Sequence, residues 1–591
     1  MKKLISVILS AVLCVSLALP QTAFAAGEAS AASPFRVEFF KGSAKAVNWL
    51  SNALITALGK TLDLILPSTS AINDFSKFDL DSYGDFYEGT KDFLDAPAKG
   101  AQWNLGYDKE SILPPDFGTK AYSMGGYEPM AKCTETKDGL WVRTVVMNDG
   151  SGRGSVAFAV LDAIGIANAD VRLIRNALAD FAKENNIVSI NVSVTHTHSG
   201  IDLQGVWHNT VGNVLSNIFL GSLGVRPLQK GVDRTFLNTI VSQTKKSVIE
   251  AYNSMQPGTL TLAKKDIGDY MRDRTAPYCF DRNVYRLMFT PDARGARPTI
   301  IATYGSHPEN AGYNQKDYSK THFITGDAIP YTDALLDKAG FNYMFIQGCI
   351  GTITYTRGNS DDGFDLNRYE EAVRYGWEIG YILLGLCKTE AECRALNETT
   401  GDLLSVAQYS GQEGYSIWYA GWQPVAEETV KPMLNIAHKQ YVIPVTNVLM
   451  DIIGKIGVTD YFFLYDKASR GYYAVTECGY MELGDSLKVE ICPGETYGEL
   501  LLGGEGINGF GYPALRETVG ENLIVFDLMN DAIGYIEPDP AFVMAGLQYS
   551  SVEDAKGNFP YDSDSWCLIS FGEHTASKVI GEFLSLVDSV R

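Results

Sequence analysis

Val188-Ser189-Ile190-Asn191-Val192-Ser193-Val194-Thr195-His196-Thr197-His198-Ser199-Gly200 is the stretch that decides the fold. Val188, Ile190, Val192 and Val194 alternate with Ser189, Asn191, Ser193 and Thr195, the period of a strand with one apolar face. Continued past Thr195, that period sets His196 and His198, two of only seven histidines, on one side of a strand end. Two imidazoles on a rigid strand need little reordering to meet a metal, and neutral imidazole suits zinc. The pair also reads as two satisfied polar groups at a strand end, so the surrounding segments must decide.

Upstream, the apolar run Val156 to Leu161 reads as a strand. Asn168 can cap a helix whose Val171, Ile174, Leu178 and Phe181 share one face, and that helix leads into the histidine strand. This is a βαβ unit. A second follows, with Thr299 to Gly305 as strand, Ala328 to Ala339 as helix and Tyr343 to Gln347 as strand. The expected fold class is α/β: a mixed sheet with βαβ units covered by helices, and an active site at the carboxyl ends of the strands.

Three further strand ends carry metal-ligand types. Thr299 to Gly305 runs into Ser306-His307-Pro308, and the proline stops the strand. Leu487, Val489 and Ile491 alternate with Lys488 and Glu490 before Cys492-Pro493-Gly494-Glu495. The apolar run Leu523 to Leu528 leads into Asn530-Asp531-Ala532-Ile533-Gly534-Tyr535. Alone, Glu495 reads as a solvated carboxylate and Tyr535 as half-buried packing.

The ends and the composition bound the class. Residues 1–25 have Lys2 and Lys3, an apolar run from Leu4 to Leu19, and Ala23-Phe24-Ala25 before a cleavage point, the pattern of a secretory signal peptide. Export to the periplasm or the medium is therefore expected. The chain has 591 residues, 46% of them hydrophobic, enough for a large core. Its net charge of −21 argues against nucleic acid and against electrostatic attraction to anionic membrane. Nine cysteines, one of them in the signal segment, are too sparse for a disulfide scaffold; Cys387 and Cys393 read equally as a short bridge or as two thiols. Three segments, Ala46 to Leu66, Val211 to Val225 and Val445 to Leu464, are more apolar than surface insertions need to be. They read as amphipathic helices packed on the body or as a rim for lipid tails, with peripheral membrane contact as the alternative. The sequence sets no oligomeric state.

Taken in order, Thr195-His196-Thr197-His198-Ser199-Gly200, Ser306-His307-Pro308-Glu309, Pro493-Gly494-Glu495 and Asn530 to Tyr535 resemble the catalytic domain of the neutral/alkaline non-lysosomal ceramidases, zinc amidases that split ceramide into sphingosine and fatty acid. The resemblance runs from about residue 115 to the C terminus. It implies a zinc site made by His196, His307, Glu495 and Tyr535, with His198 facing substrate. It also implies active-site roles for Arg274, in Asp273-Arg274-Thr275-Ala276-Pro277, and for Tyr549, and backbone contacts to substrate at Gly125 and Gly126. The chain departs from that family at Gly351-Thr352-Ile353-Thr354-Tyr355-Thr356, where several ceramidases carry Gly-Asp-Val-Ser-Pro-Asn, so Thr354 stands in the substrate pocket where the family has serine. The implied organisation is a signal peptide over 1–25, a helical extension over 26–114 and a zinc hydrolase domain over 115–591, with an insertion near 389–479 and no C-terminal immunoglobulin-like domain. The implied substrate is a lipid or other N-acyl small molecule. Two alternatives are a zinc hydrolase of a different acyl ester or amide and a non-catalytic binding protein of the same fold.

Overall fold

Trp103, Leu105 and Tyr107 alternate with Asn104, Gly106 and Asp108, and this period builds a strand in the middle of the largest sheet. The computed structural model describes residues 53–126, 131–275, 278–313, 322–355, 368–389, 391–392, 426–503, 513–542, 547–548, 561–562 and 570–591. We number its principal elements β1 (Trp103–Ser111), β2 (Trp141–Asn148), β3 (Ser155–Leu161), α1 (Asn168–Glu184), β4 (Ile187–Val194), α2 (Arg234–Asn253), β5 (Gln256–Asp266), β6 (Asn283–Pro291), β7 (Thr299–Tyr304), α3 (Ile329–Lys338), β8 (Asn342–Gln347), α4 (Arg368–Gly385), β9 (Leu434–Val445), α5 (Val448–Ile456), β10 (Phe463–Asp466), β11 (Gly471–Leu483), β12 (Leu487–Ile491), β13 (Leu523–Phe526) and α6 (Thr575–Val590).

The larger sheet is mixed, in the order β8-β7-β6-β5-β1-β2-β3-β4, with Glu428–Thr429 added beside β5. Its two parallel pairs are β3 with β4, joined by α1, and β7 with β8, joined by α3. The second sheet runs Ile72–Asp74, β10, β11, β12, β13, with β9 along the other side of β11; β12 and β13 are parallel. One core holds Val145, Phe158, Leu287 and Ile346 of the larger sheet together with Ile436, Met481, Val489 and Phe526 of the second. Helices α1 and α2 bury their apolar faces on one half of the larger sheet, α3 and α4 on the other, and α6 on the second sheet.

The larger sheet curls until its edge strands meet. Gln347, at the end of β8, donates from Nε2 to the carbonyl of Thr195, just past β4, at 3.1 Å. Strands at opposite ends of the sheet order therefore deliver their carboxyl ends to one place.

Four sequence expectations change. The segment expected to be a helical extension to residue 114 holds β1, a strand inside the larger sheet. The stretch 389–479 is no simple insertion, because β9 and most of β11, the longest pair of the second sheet, lie in it; residues 393–425, with Cys393, fall outside the described residues. Ala167, not Asn168, occupies the cap position of α1. The Asn168 amide instead reaches Glu477 and the carbonyl of Asn530, while its backbone N–H donates to Asp531 at 2.9 Å. Finally, the polar face of β4 is buried. Ser189 meets His438 Nε2 at 2.8 Å, Asn191 accepts from Asn530 at 3.0 Å, and Ser193 donates to the carbonyl of Asp527 at 3.3 Å. Alternation reads as one wet face, but here the polar side packs against β9 and the turn that follows β13.

Candidate metal centre

The pleat of β4 ends at Val194, and His196 takes a left-handed backbone conformation, φ 64°. The histidines are thus aimed by a turn rather than by strand period. This backbone state costs a non-glycine residue about 1–2 kcal/mol, so surrounding contacts must impose it. They are present: Gln347 holds the carbonyl of Thr195, Thr197 Oγ1 donates to the carbonyl of Thr325 at 3.0 Å, and the His198 N–H donates to the carbonyl of Pro308 at 2.9 Å. The last bond ties the His198 segment directly to the His307 segment.

His196 Nδ1 lies 2.6 Å from the carbonyl of Ile164, and His307 Nδ1 lies 2.7 Å from the carbonyl of Ile353. A carbonyl only accepts, so the proton of each neutral ring sits on Nδ1 and each Nε2 presents a lone pair. Burial pushes His196 and His198 down to about 3 and His307 to about 4, so all three rings are neutral at physiological pH. Glu495 Oε2 stands 3.6 Å from His196 Nε2 and 3.3 Å from His307 Nε2, and it accepts no hydrogen bond among the described residues. His198 Nε2 is 3.1 Å from His196 Nε2, and the ligand atoms of the three histidines lie within 4.8 Å of one another. The Tyr535 hydroxyl reaches His307 Nε2 at 3.2 Å, and Tyr535 and Glu495 face each other in a short parallel pair between Glu495–Thr496 and Tyr535–Ile536.

Inward lone pairs around a buried carboxylate repel one another unless a cation lies among them. Two carbonyl-anchored imidazoles and one carboxylate oxygen are the donor set and outer shell that suit zinc. The residues present therefore fit the metal.

Asp527, within the apolar run before Tyr535, accepts from the N–H groups of Ile350 and Thr496 at 2.9 and 2.8 Å and from Thr496 Oγ1 at 2.7 Å. It fixes the segment next to Glu495. Gln347 does the same for the histidines: besides Thr195 it holds Ser306, donating to its carbonyl at 3.0 Å and accepting from its N–H at 3.1 Å. Sequence reading passed over both residues. The available signal was a polar side chain ending or interrupting an apolar strand.

Arg274 lies beside the cluster, its Nη1 3.1 and 3.3 Å from the two carboxylate oxygens of Glu309 and its Nε 3.2 Å from the carbonyl of Thr352. Burial pushes the Glu309 carboxyl up, but the Arg274 guanidinium outweighs it and holds the group at about 2. Glu309 was also missed, although it follows His307 and Pro308 directly. Thr354 bridges to His307 backbone to backbone and pairs with Arg272. Gly126, φ 129°, lies against the backbone of His198, where an added Cβ would sit 2.5 Å from the carbonyl oxygen; glycine is required there. Gly125 donates to the carbonyl of Gly200 at 3.0 Å. Tyr549 lies outside the described residues.

With this geometry in hand, the molecule can be set beside solved structures. A neutral ceramidase from Pseudomonas aeruginosa aligns over 83% of this chain and 74% of its own, with a TM-score of 0.53 and 14% identity. The fold is ceramidase-like. A ceramidase complexed with C2 aligns over 83% of this chain and 75% of its own, with a TM-score of 0.49 and 15% identity. No protein-family model matches the chain. In this ceramidase-like fold, His196, His198, His307, Glu495 and Tyr535 meet at strand ends, with Arg274 and Gly126 next to them.

Proposed function

We propose that the protein is a secreted zinc-dependent amidohydrolase that cleaves an N-acyl lipid of the ceramide type into a fatty acid and a sphingoid base. The observation that carries this reading is the convergence of two carbonyl-anchored imidazole Nε2 atoms on the unsatisfied Glu495 oxygen, at strand ends of a ceramidase-like fold. The N-terminal segment of residues 1–25 supports export.

Zinc held by His196, His307, Glu495 and Tyr535 would supply Lewis acidity, activating water and polarising the amide carbonyl. The remaining work belongs to this chain's own groups. His198, neutral and next to the ligands, takes a proton from the attacking water and returns one to the leaving amine. Arg274, oriented by Glu309, donates to the carbonyl oxygen as charge develops there. Gly126 leaves backbone rather than side chain against His198.

A second reading keeps the zinc chemistry and changes the substrate to another acyl ester or amide. The Gly351 to Thr356 departure favours it, since Thr354 of that stretch bridges to His307 beside the reacting centre.

The test is metal content of the purified mature chain together with fatty-acid release from a fluorescent short-chain ceramide, with and without chelator. Stoichiometric zinc and chelator-sensitive cleavage support the first reading. Zinc without cleavage moves the assignment to the second, and absence of metal rejects both.

A further inference from the structure

The three apolar segments separated in the sequence meet in space. Residues 53–65 form a helix whose Ile55 packs on Val448 and Leu449 of α5. The helix Thr210–Ser216 continues as a wide turn, Asn217–Gly221, and its Val214 and Ile218 pack with Leu66 against Ile452, Ile453 and Ile456 of the same α5. Helix α5 is thus flanked by both other segments.

What they leave outside is unusual. Among the described residues nine large hydrophobic side chains are exposed, and seven of them belong to 53–66 and 211–225. The most exposed are Leu64 at 82%, Leu223 at 74%, Val225 at 67% and Ile65 at 65%. Scattered single exposures are ordinary, but a concentration of this kind marks a contact surface. Charge distinguishes the face further. In a chain of net charge −21, residues 211–230 contain Arg226 and Lys230 and no acid. Residues 53–66 contain Lys60 and Asp63, and Asp63 is engaged by Lys455 at 3.0 Å and by the Tyr472 hydroxyl at 2.7 Å. Of the acids in the third segment, Asp460 pairs with Lys230 at 3.5 Å and with Arg234, and Asp451 on α5 is half-buried, its carboxyl pushed up to about 8 by burial. Apolar side chains fringed by cations, on helices lying along a surface, suit the interface of an anionic bilayer. No helix among the described residues is long and apolar enough to cross a membrane.

We propose that the exposed faces of residues 53–66 and 211–226 form one docking surface for an anionic lipid bilayer. A cleft of about 440 Å³ adjoins it, lined by Asn213 from the second segment, by Leu228 and Lys230 just beyond it, and by Ser123, Ile201 and Asp202, which neighbour Gly125 and His198 in the chain. Docking therefore sets the lipid surface beside residues that flank the histidine cluster. That use of the cleft rests on the amidase reading; the docking does not.

The experiment is flotation of the mature chain, residues 26–591, with vesicles of two parts phosphatidylcholine to one part phosphatidylglycerol, with no turnover measured. The wild type is expected to float. A Leu64→Asp, Leu223→Asp, Val225→Asp variant is expected to lose vesicle partitioning roughly tenfold or more, with an unchanged circular-dichroism melt because all three side chains are exposed. A wild type that stays with the soluble fraction, or a variant that floats equally well, overturns the proposal. So does a wild-type dimer that the triple variant dissociates, which would make the face a contact between copies.

Discussion

Two buried clusters of ionisable groups lie in the same pair of sheets and are balanced in opposite ways. Around Glu477 every charge is answered: Arg175 pairs with it in bidentate fashion at 2.8 and 2.6 Å, Asn168 adds a third donor at 3.2 Å, and Arg175 Nε donates to the carbonyl of Ile190 on β4. Around Glu495 the two imidazole nitrogens nearest Oε2 present lone pairs, the Tyr535 hydroxyl is the one side-chain donor to the carboxyl among the described residues, and Oε2 is unsatisfied. The first cluster is closed and ties α1, β4 and β11 together. The second is open, with a donor set that a metal ion would close. Burial alone does not mark a functional site; burial with surplus lone pairs does.

The sharpest way to break this contrast is at the open cluster. His196→Ala is expected to lose both zinc, by elemental analysis, and turnover. His198→Ala keeps most of the metal and loses turnover by about 10²–10⁴. Full zinc retention in His196→Ala would falsify the ligand assignment.

Next comes the closed cluster. Glu477→Ala leaves Arg175 and Arg172 without their carboxylate and is expected to cost about 3–5 kcal/mol, read as a lowered denaturation midpoint in the metal-free chain. Glu495→Ala in the same metal-free chain is expected to cost far less, because it removes one of several crowded acceptors. Equal losses would erase the distinction between the two clusters.

A smaller effect is expected at Gln347, which orients both histidine segments without touching the rings. Gln347→Met should weaken zinc binding about 10–100-fold in competition with a chelating dye. Unchanged affinity would show that the strand ends hold the histidines unaided.

The smallest effect is in acid. Burial pushes Glu477 up, but Arg175 prevails and lowers it from 4.5 to about 2. The unfolded chain therefore takes up this proton first, and the stability the pair contributes is complete above about pH 4.5 and lost as pH falls towards 2. Glu477→Gln should flatten that part of the stability profile; an identical slope would mean that other carboxylates set it.

Much of the site was legible because strand ends are legible. Strand-end pattern marked His196 and His307 as ligand types, whereas Glu495 and Tyr535 gained their place only from the resemblance of the motifs taken in order; the structure brings the four together. The curl that joins the edges of the larger sheet was not legible, since it depends on pairings far apart in the chain. Nor were β9 and β11, because Pro444 and the mixed composition of β9 argue against a core strand; among the described residues the outer side of β9 carries a single bridge, from Gly89 to Ala437, and such an edge is where proline is tolerated. Gln347 and Asp527 look like lapses in apolar strands until their partners are seen.

The meeting of strand ends from both sheets also has a kinetic meaning. Groups at residues 196, 307, 495 and 535 come together through contacts between segments far apart in the chain, such as Ser193 with Met529 and Thr195 with Gln347, and such contacts close slowly. An ion held there joins the earliest and latest segments of the site, so it acts as a latch set at the end of folding. Its removal should appear less as a change in shape than as a faster unfolding rate.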